Sequence, residues 1–175
     1  MRFFLGLLLL LSIVACTGPD IRQYAAQQPA LELSDYLNGD LEAWGMFQNR
    51  SGEVVKRFHV ALTGTWQGDV GTLDERFTYS DGSTERRVWT LRRQADGSWR
   101  GTAADVLGEA VGEVSGNALH WRYQLLLKVD GERYVVDFDD WMFLMDGRVM
   151  LNRARMSKWG VDLGEVTLSF HKPAN

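Results

Sequence analysis

Four Asp-Gly dipeptides punctuate the chain: Asp81-Gly82, Asp96-Gly97, Asp130-Gly131 and Asp146-Gly147. Asp-Gly suits the positive-φ positions of a tight turn and is the strongest short-range signal for a β-hairpin. From about residue 42 onward, the runs between such turns alternate apolar and polar side chains, with Ser51-Gly52 and Gly116-Asn117 as weaker punctuation. Only Leu31 to Asn38 reads as a helix, capped by Ser34 or Asp35 and ended by Gly39. About ten strands with short connections leave little choice of architecture. A sheet of that size curls or closes, because closure removes unpaired edges. The fold expected is all-β: an antiparallel up-and-down barrel of about 8–10 strands with a short N-terminal helix, a sandwich being the alternative.

Alternation assigns faces, since neighbouring residues of a strand point to opposite sides of the sheet. In 117–128 the odd positions Leu119, Trp121, Tyr123, Leu125 and Leu127 are apolar, and in 132–144 the even positions Tyr134, Val136, Phe138, Met142 and Leu144. A two-residue loop at Asp130-Gly131 sets Val129 opposite Glu132 and Trp121 opposite Asp140, matching the two apolar faces. A two-residue loop at Asp146-Gly147 sets Leu144 opposite Val149, Asp140 opposite Arg153 and Phe138 opposite Arg155. Asp140 is then inward, and a charge on a core face needs a partner. An Asp140–Arg153 ion pair is expected, either structural or a polar anchor at which Arg155 meets a ligand carboxylate or phosphate. In the hairpin spanning 73–91, the apolar faces match if Asp81-Gly82-Ser83 forms a three-residue loop. Glu75 and Arg87 then point inward with Trp89, and Asp74, Arg76, Arg86 and Arg92 outward.

The N-terminus carries a different kind of information. Arg2 precedes a twelve-residue apolar stretch, Phe3 to Val14. That is shorter than the about 20 residues that cross a bilayer as a helix and suits the hydrophobic region of an export signal. Ile13-Val14-Ala15-Cys16 follows, and it resembles the lipobox of bacterial lipoproteins. The resemblance implies cleavage before Cys16 and acylation of its thiolate, a lasting anchor at ~0.8 kcal/mol per buried CH₂. Residues 1–15 are expected to be the signal peptide, 16–29 the lipidated N-terminus and a flexible tether, and 30–175 a single barrel domain. By resemblance to Gram-negative lipoproteins, Thr17 after the cysteine implies the outer membrane, with the domain in the periplasm.

Composition narrows the function classes. A net charge of −4 over 175 residues gives no global attraction to nucleic acid. Arg86-Arg87 and Arg92-Arg93 read as strand charges. The single cysteine excludes a disulfide framework and any multi-cysteine metal site. No nucleophile elbow, phosphate-cradling loop or zinc motif occurs, His59, His120 and His171 are scattered, and no motif calls for a cofactor. In Asp137-Phe138-Asp139-Asp140, alternation sends Asp140 away from the other two aspartates, which breaks a cation cluster. Trp141 shares the outward face with Asp139 and Phe143, either under the N-terminal segment or as a partner surface.

Gly64-Thr65-Trp66 at a strand end, followed by arginines on a late strand, resembles the calycin pattern, in which such a tryptophan closes a barrel floor. The longer stretch Gly64 to Gly71 is similar to nitrobindin-like haem barrels, for which His171 is the only candidate ligand. A closer resemblance spans nearly the whole chain. Leu41-Glu42-Ala43-Trp44-Gly45, Thr63-Gly64-Thr65-Trp66-Gln67-Gly68, Phe138-Asp139-Asp140-Trp141-Met142, Leu151-Asn152-Arg153 and Met156-Ser157-Lys158 resemble a family of uncharacterised bacterial lipoproteins, domain of unknown function 3833. That resemblance implies an envelope lipoprotein with a lipocalin-like barrel and a recurring association with fatty-acid-modifying genes. It implies no catalytic residue.

The expectation is a barrel that binds a hydrophobic or amphipathic small molecule, a fatty acid or lipid. The candidate interior residues are Trp66, Glu75, Arg87, Trp89, Trp121 and Tyr123, together with Asp140, Arg153 and Arg155. The membrane is the expected partner through Cys16, with no assignable protein partner. One alternative is a non-enzymatic scaffold with a filled barrel and an exposed patch around Trp141. Another is a lipid-modifying enzyme, which would need a strongly shifted titratable group near Asp140 and Glu75.

Overall fold

The computed structural model describes residues 18–129 and 131–173, so Cys16 and the expected export segment lie outside the described residues. Among the described residues, ten antiparallel strands follow one another as a meander: β1 (Gly39–Asn49), β2 (Val54–Gln67), β3 (Val70–Tyr79), β4 (Thr84–Arg93), β5 (Trp99–Thr102), β6 (Val106–Ser115), β7 (Ala118–Val129), β8 (Glu132–Leu144), β9 (Val149–Lys158) and β10 (Val161–His171). Each pairs with its neighbour in sequence, and β1 pairs with β10, so the sheet is a closed barrel. Closure leaves every strand flanked on both sides, which answers the edge problem the alternating sequence poses.

The expected helix is present but shorter. It spans Leu33–Tyr36 (α1) and has no side-chain N-cap, so neither Ser34 nor Asp35 plays that part. Tertiary contacts hold it instead. Leu33, Tyr36 and Leu37 are buried. The Tyr36 hydroxyl donates to the carbonyls of Arg148 and Phe170, and Lys172 Nζ donates to those of Asp35 and Tyr36. The carbonyl of Leu37 sits where a Cβ on Gly64 would be. Glycine is required there because the helix end packs directly on β2. The helix thereby covers one end of the barrel, the floor, at which β1 starts and the 68–69, 94–98, 116–117 and 145–148 connections turn.

Residues 18–29, within the stretch read as a tether, lie against the wall. A 3₁₀ turn at Ile21–Tyr24 buries Ile21. Tyr24 packs edge-on against Phe143 and Trp141, with ring centroids 5.2 and 5.9 Å away. Leu31 N–H donates to Gly116 O at 2.8 Å. Trp141 points outward as alternation requires, stacks on His120 at 4.1 Å and lies under the N-terminal segment.

The β7–β8 register is the expected one, with Val129 opposite Glu132 and Trp121 opposite Asp140. The β3–β4 hairpin keeps the expected faces, with Glu75 opposite Arg87, but its three-residue loop is Ser80-Asp81-Gly82, closed by Tyr79 N–H on Ser83 O. The β8–β9 register differs by one residue. Leu144 pairs with Met150 and Asp140 with Ala154. The cause is the turn. Asp146 accepts from the N–H groups of both Arg148 and Val149, and Met145 N–H donates to Val149 O. The loop is therefore Asp146-Gly147-Arg148, three residues rather than two. One extra residue turns the whole of β9 over. Met150, Asn152, Ala154 and Met156 face inward and are buried, while Arg153 and Arg155 face solvent.

Candidate functional site: the barrel lumen

The inward side chains do not fill the barrel. They enclose a cavity of about 1400 Å³, above the roughly 300–1,000 Å³ of ordinary small-molecule sites. Leu33 and Leu37 of the floor line its closed end, and Lys56, Lys128, Arg133 and Tyr134 lie at the opposite, open end. The wall between is chiefly aliphatic and aromatic. Trp121 lies over β5 and β6, its ring occupying the space where Gly101 and Gly112 would carry a Cβ. Those two glycines let a large ring lie flat against the wall and leave the centre open. Trp89 meets Trp121 and Tyr123 edge-on at 6.1 and 5.5 Å, and Tyr123 stacks on Phe138 at 5.0 Å.

Two polar groups interrupt this surface. On the β3–β4 side, Arg87 donates from Nε to Asp105 Oδ2 at 2.9 Å and approaches the same oxygen with Nη2 at 2.8 Å. Its Nη1 stands 3.9 Å from Glu75. On the β7–β9 side, the Asn152 side-chain amide donates to Asp140 Oδ1, with Tyr123 beside them. β3 and β8 are five strands apart either way around the ten-strand ring. Their inward side chains, Glu75 and Asp140, face each other across the lumen.

Burial dominates the electrostatics. Glu75 is 9% and Asp140 5% exposed. Loss of hydration pushes the Glu75 carboxyl up to about 7, with Arg87 and Trp89 offsetting only part of that. Burial likewise pushes Asp140 up to about 7, against Asn152 and Tyr123. Burial disfavours the Arg87 cation, yet Glu75 and Asp105 outweigh it and raise its pKa. The Tyr123 hydroxyl is raised well above 10 by burial and by Asp140. The site thus holds one secured cation, two carboxyls that change protonation near neutrality, and a tyrosine that stays neutral.

Of the nine interior candidates, Glu75, Arg87, Trp89, Trp121, Tyr123 and Asp140 line the cavity. Trp66 does not. It is half-buried, sits edge-on to Trp99 at 5.6 Å, and its buried indole N–H has no partner among the described residues. Arg153 and Arg155 are corrected outright. Arg153 pairs on the outer wall with Glu165 at 2.6 Å and Arg155 with Asp162 at 3.4 Å. There is no Asp140–Arg153 ion pair, because the turn at 146–148 places the two on opposite faces. The sequence reading missed Asn152 and Asp105. Asn152 is the one polar residue in the otherwise apolar series Met150, Ala154 and Met156. That signal was readable had the strand's own alternation outweighed the turn. Asp105 lies in a connection and reaches Arg87 only through the closed fold. His171 faces outward, hydrogen-bonded to Ser169. Among the described residues no group of three or more His, Cys, Asp or Glu side chains is placed to hold a metal ion.

Among solved structures, 11 chains match this one. One is the S-type phycobiliprotein lyase CPES from Guillardia theta, with a TM-score of 0.59 and 7% identity, covering 90% of this chain and 100% of the lyase. At that identity the likeness is one of fold, and it places the barrel among the lipocalin-like architectures. No curated protein matches. Residues 10–172 match the family described as "Protein of unknown function (DUF3833)". With that span covering nearly the whole chain and the barrel closed as described, the protein is a member of the DUF3833 family.

Proposed function

We propose that this protein is an envelope lipoprotein, anchored through acyl chains on Cys16, whose barrel takes up a hydrophobic or amphipathic small molecule of the lipid class in the periplasm. The observation that carries the reading is the cavity: about 1400 Å³, closed at the α1 end and walled mainly by apolar side chains. Closed barrels of this strand number are suited to holding one apolar ligand. The filled-barrel scaffold is disfavoured by the same cavity, and the surface it would need around Trp141 is covered by Tyr24. The export signal and lipobox support the anchor, and Thr17 the outer membrane. The family's association with fatty-acid-modifying genes fits a role in membrane fatty-acid modification.

A second reading has a specific observation behind it. Glu75 and Asp140 both titrate near 7 inside the cavity, which is where a general acid or base works best. The lyase of like fold is, by its name, an enzyme. In this reading the lumen processes its ligand, and Asp140, held by Asn152, is the group that moves the proton.

One preparation tests both. The Cys16→Ser full chain, exported without acylation and purified without detergent, is weighed by native mass spectrometry. A discrete adduct of lipid mass is expected. A bare polypeptide mass, unchanged after incubation with long-chain lipids, would overturn the binding reading. Conversion of the bound lipid to a new mass by the wild type, lost in Asp140→Asn while the adduct persists, would favour the enzyme.

A further inference from the structure

Away from the rim, the polar side chains of the lumen are unequal in charge: among the described residues, Glu75, Asp105 and Asp140 stand against one cation, Arg87. That cation is already committed. Asp105 accepts from Nε and lies 2.8 Å from Nη2, and Nη1 turns toward Glu75. The carboxyls are less fully engaged. Glu75 is 9% exposed, and its 3.9 Å approach to Arg87 is longer than a hydrogen bond. At Asp140 the Asn152 amide occupies Oδ1, the Tyr123 hydroxyl supports the carboxylate, and the residue lines the lumen. A molecule filling the cavity therefore meets hydrogen-bond acceptors on both walls and, among the described residues, finds no free cation between them. Above about pH 7, where Glu75 and Asp140 are ionised, a carboxylate brought between them would be repelled, and the Asn152 amide and Tyr123 hydroxyl are already turned to Asp140.

We propose that the lumen selects lipid-like molecules whose polar end donates hydrogen bonds, a primary amine or a hydroxyl placed between Glu75 and Asp140, and discriminates against free carboxylates. This rests on the lipid-binding reading above and narrows it. Within that reading it replaces the expected anchoring of a ligand carboxylate or phosphate by Arg155, which lies on the outer wall. The competing pose leaves an anionic head at the mouth, beside Lys128 and Arg133, with the tail alone in the lumen.

The test compares stearylamine, stearyl alcohol and stearate, equal in chain length, binding to the Cys16→Ser full chain at about pH 8.5, where both lumen carboxyls are ionised. Quenching of the lumen tryptophans Trp89 and Trp121 is the readout. The amine and the alcohol are expected to bind about tenfold or more tightly than stearate, the span a hydrogen bond to a charged group commands. The Glu75→Gln, Asp140→Asn double variant is expected to weaken the amine, strengthen stearate and erase the preference. The wild-type comparison stands without any variant, so a double variant that does not fold leaves the proposal exposed. Stearate binding as tightly as the amine would overturn it, and loss of that binding in Lys128→Gln, Arg133→Gln would put the head at the rim. Binding of none of the three would overturn this proposal together with the lipid-binding reading.

Discussion

The two polar walls of the lumen bury the same kind of group in different company. On the β3–β4 side Glu75 has a guanidinium nearby, itself tied to Asp105. On the β7–β9 side Asp140 has no cation beside it: the Asn152 amide and Tyr123 are neutral, and Asp139 and Glu75 add like charge. Both carboxyls nevertheless reach about 7, chiefly through burial. A nearby cation lowers a carboxyl's pKa only to the extent that it is not already neutralised, and Asp105 takes much of Arg87's effect. The walls differ in what happens when the partner is lost. Without Asn152, Asp140 can take up a proton and stay neutral. Without Arg87, Asp105 and Glu75 face each other with no cation between them.

The largest effect is therefore expected from Arg87→Met, which keeps an apolar stem over the Phe77 ring, now 5.3 Å from the guanidinium. Removing one partner of a buried ion pair costs about 3–5 kcal/mol, and urea denaturation should show a loss of that size at neutral pH. A loss under ~1 kcal/mol would mean that water reaches Asp105 and that the two walls are equivalent.

The second expectation concerns pH and treats the walls alike. Glu75 and Asp140 both hold their protons more tightly in the folded chain than in the unfolded one, where each has its ordinary value near 4. Between the two values the folded state binds more protons, so stability falls as pH rises. The contribution is complete below about pH 4 and lost as pH passes about 7. Exposed carboxyls held low by local hydrogen bonds, such as Asp81 and Asp146, act the other way only in more acidic solution. The unfolding free energy from urea denaturation should rise from about pH 8 to pH 5, by an amount on the order of 2–4 kcal/mol for the two groups together. Asp140→Asn and Glu75→Gln should each flatten part of the slope. A slope unchanged in Asp140→Asn would mean that this carboxyl is hydrated through the cavity.

Much of this wall was legible in the sequence, and the part that was not has a definite cause. Trp121 opposite Asp140, the inward Glu75 and Arg87 and the outward Trp141 all follow from alternation joined to turn length. The meander and the strand number follow from the turn signals and the alternation between them, and the closure from the cost of unpaired edges. The same dipeptide misleads at 146–147, because Asp-Gly fits a two-residue turn and also the start of a three-residue one. The choice between them is made by Asp146, whose side chain gathers the N–H groups of Arg148 and Val149. Two signals conflicted there, the turn and the apolar series Met150, Ala154 and Met156, and the series was the better guide because it reports burial over a whole strand. Asp105 left no local signal at all. Its role depends on the short β5, which brings the 103–105 connection level with the middle of β4.

That one-residue shift also sets the smallest expected effect. Arg153 and Arg87 are both arginines paired with carboxylates at 2.6–2.8 Å. They differ in surroundings, since the Arg153 side chain is 67% exposed and that of Arg87 16%. Water and salt screen the outer pair, and ordering two long side chains offsets much of the attraction that remains. Exposed pairs are accordingly worth about 0.2–1 kcal/mol. Arg153→Met should cost no more than that, less still at high salt, and should leave the mass and amount of any bound ligand unchanged. Had Arg153 met Asp140 in the lumen, the same substitution would have cost as much as Arg87→Met and stripped the ligand. Arg153→Met therefore reports, by one denaturation curve and one mass spectrum, which face of β9 lines the cavity.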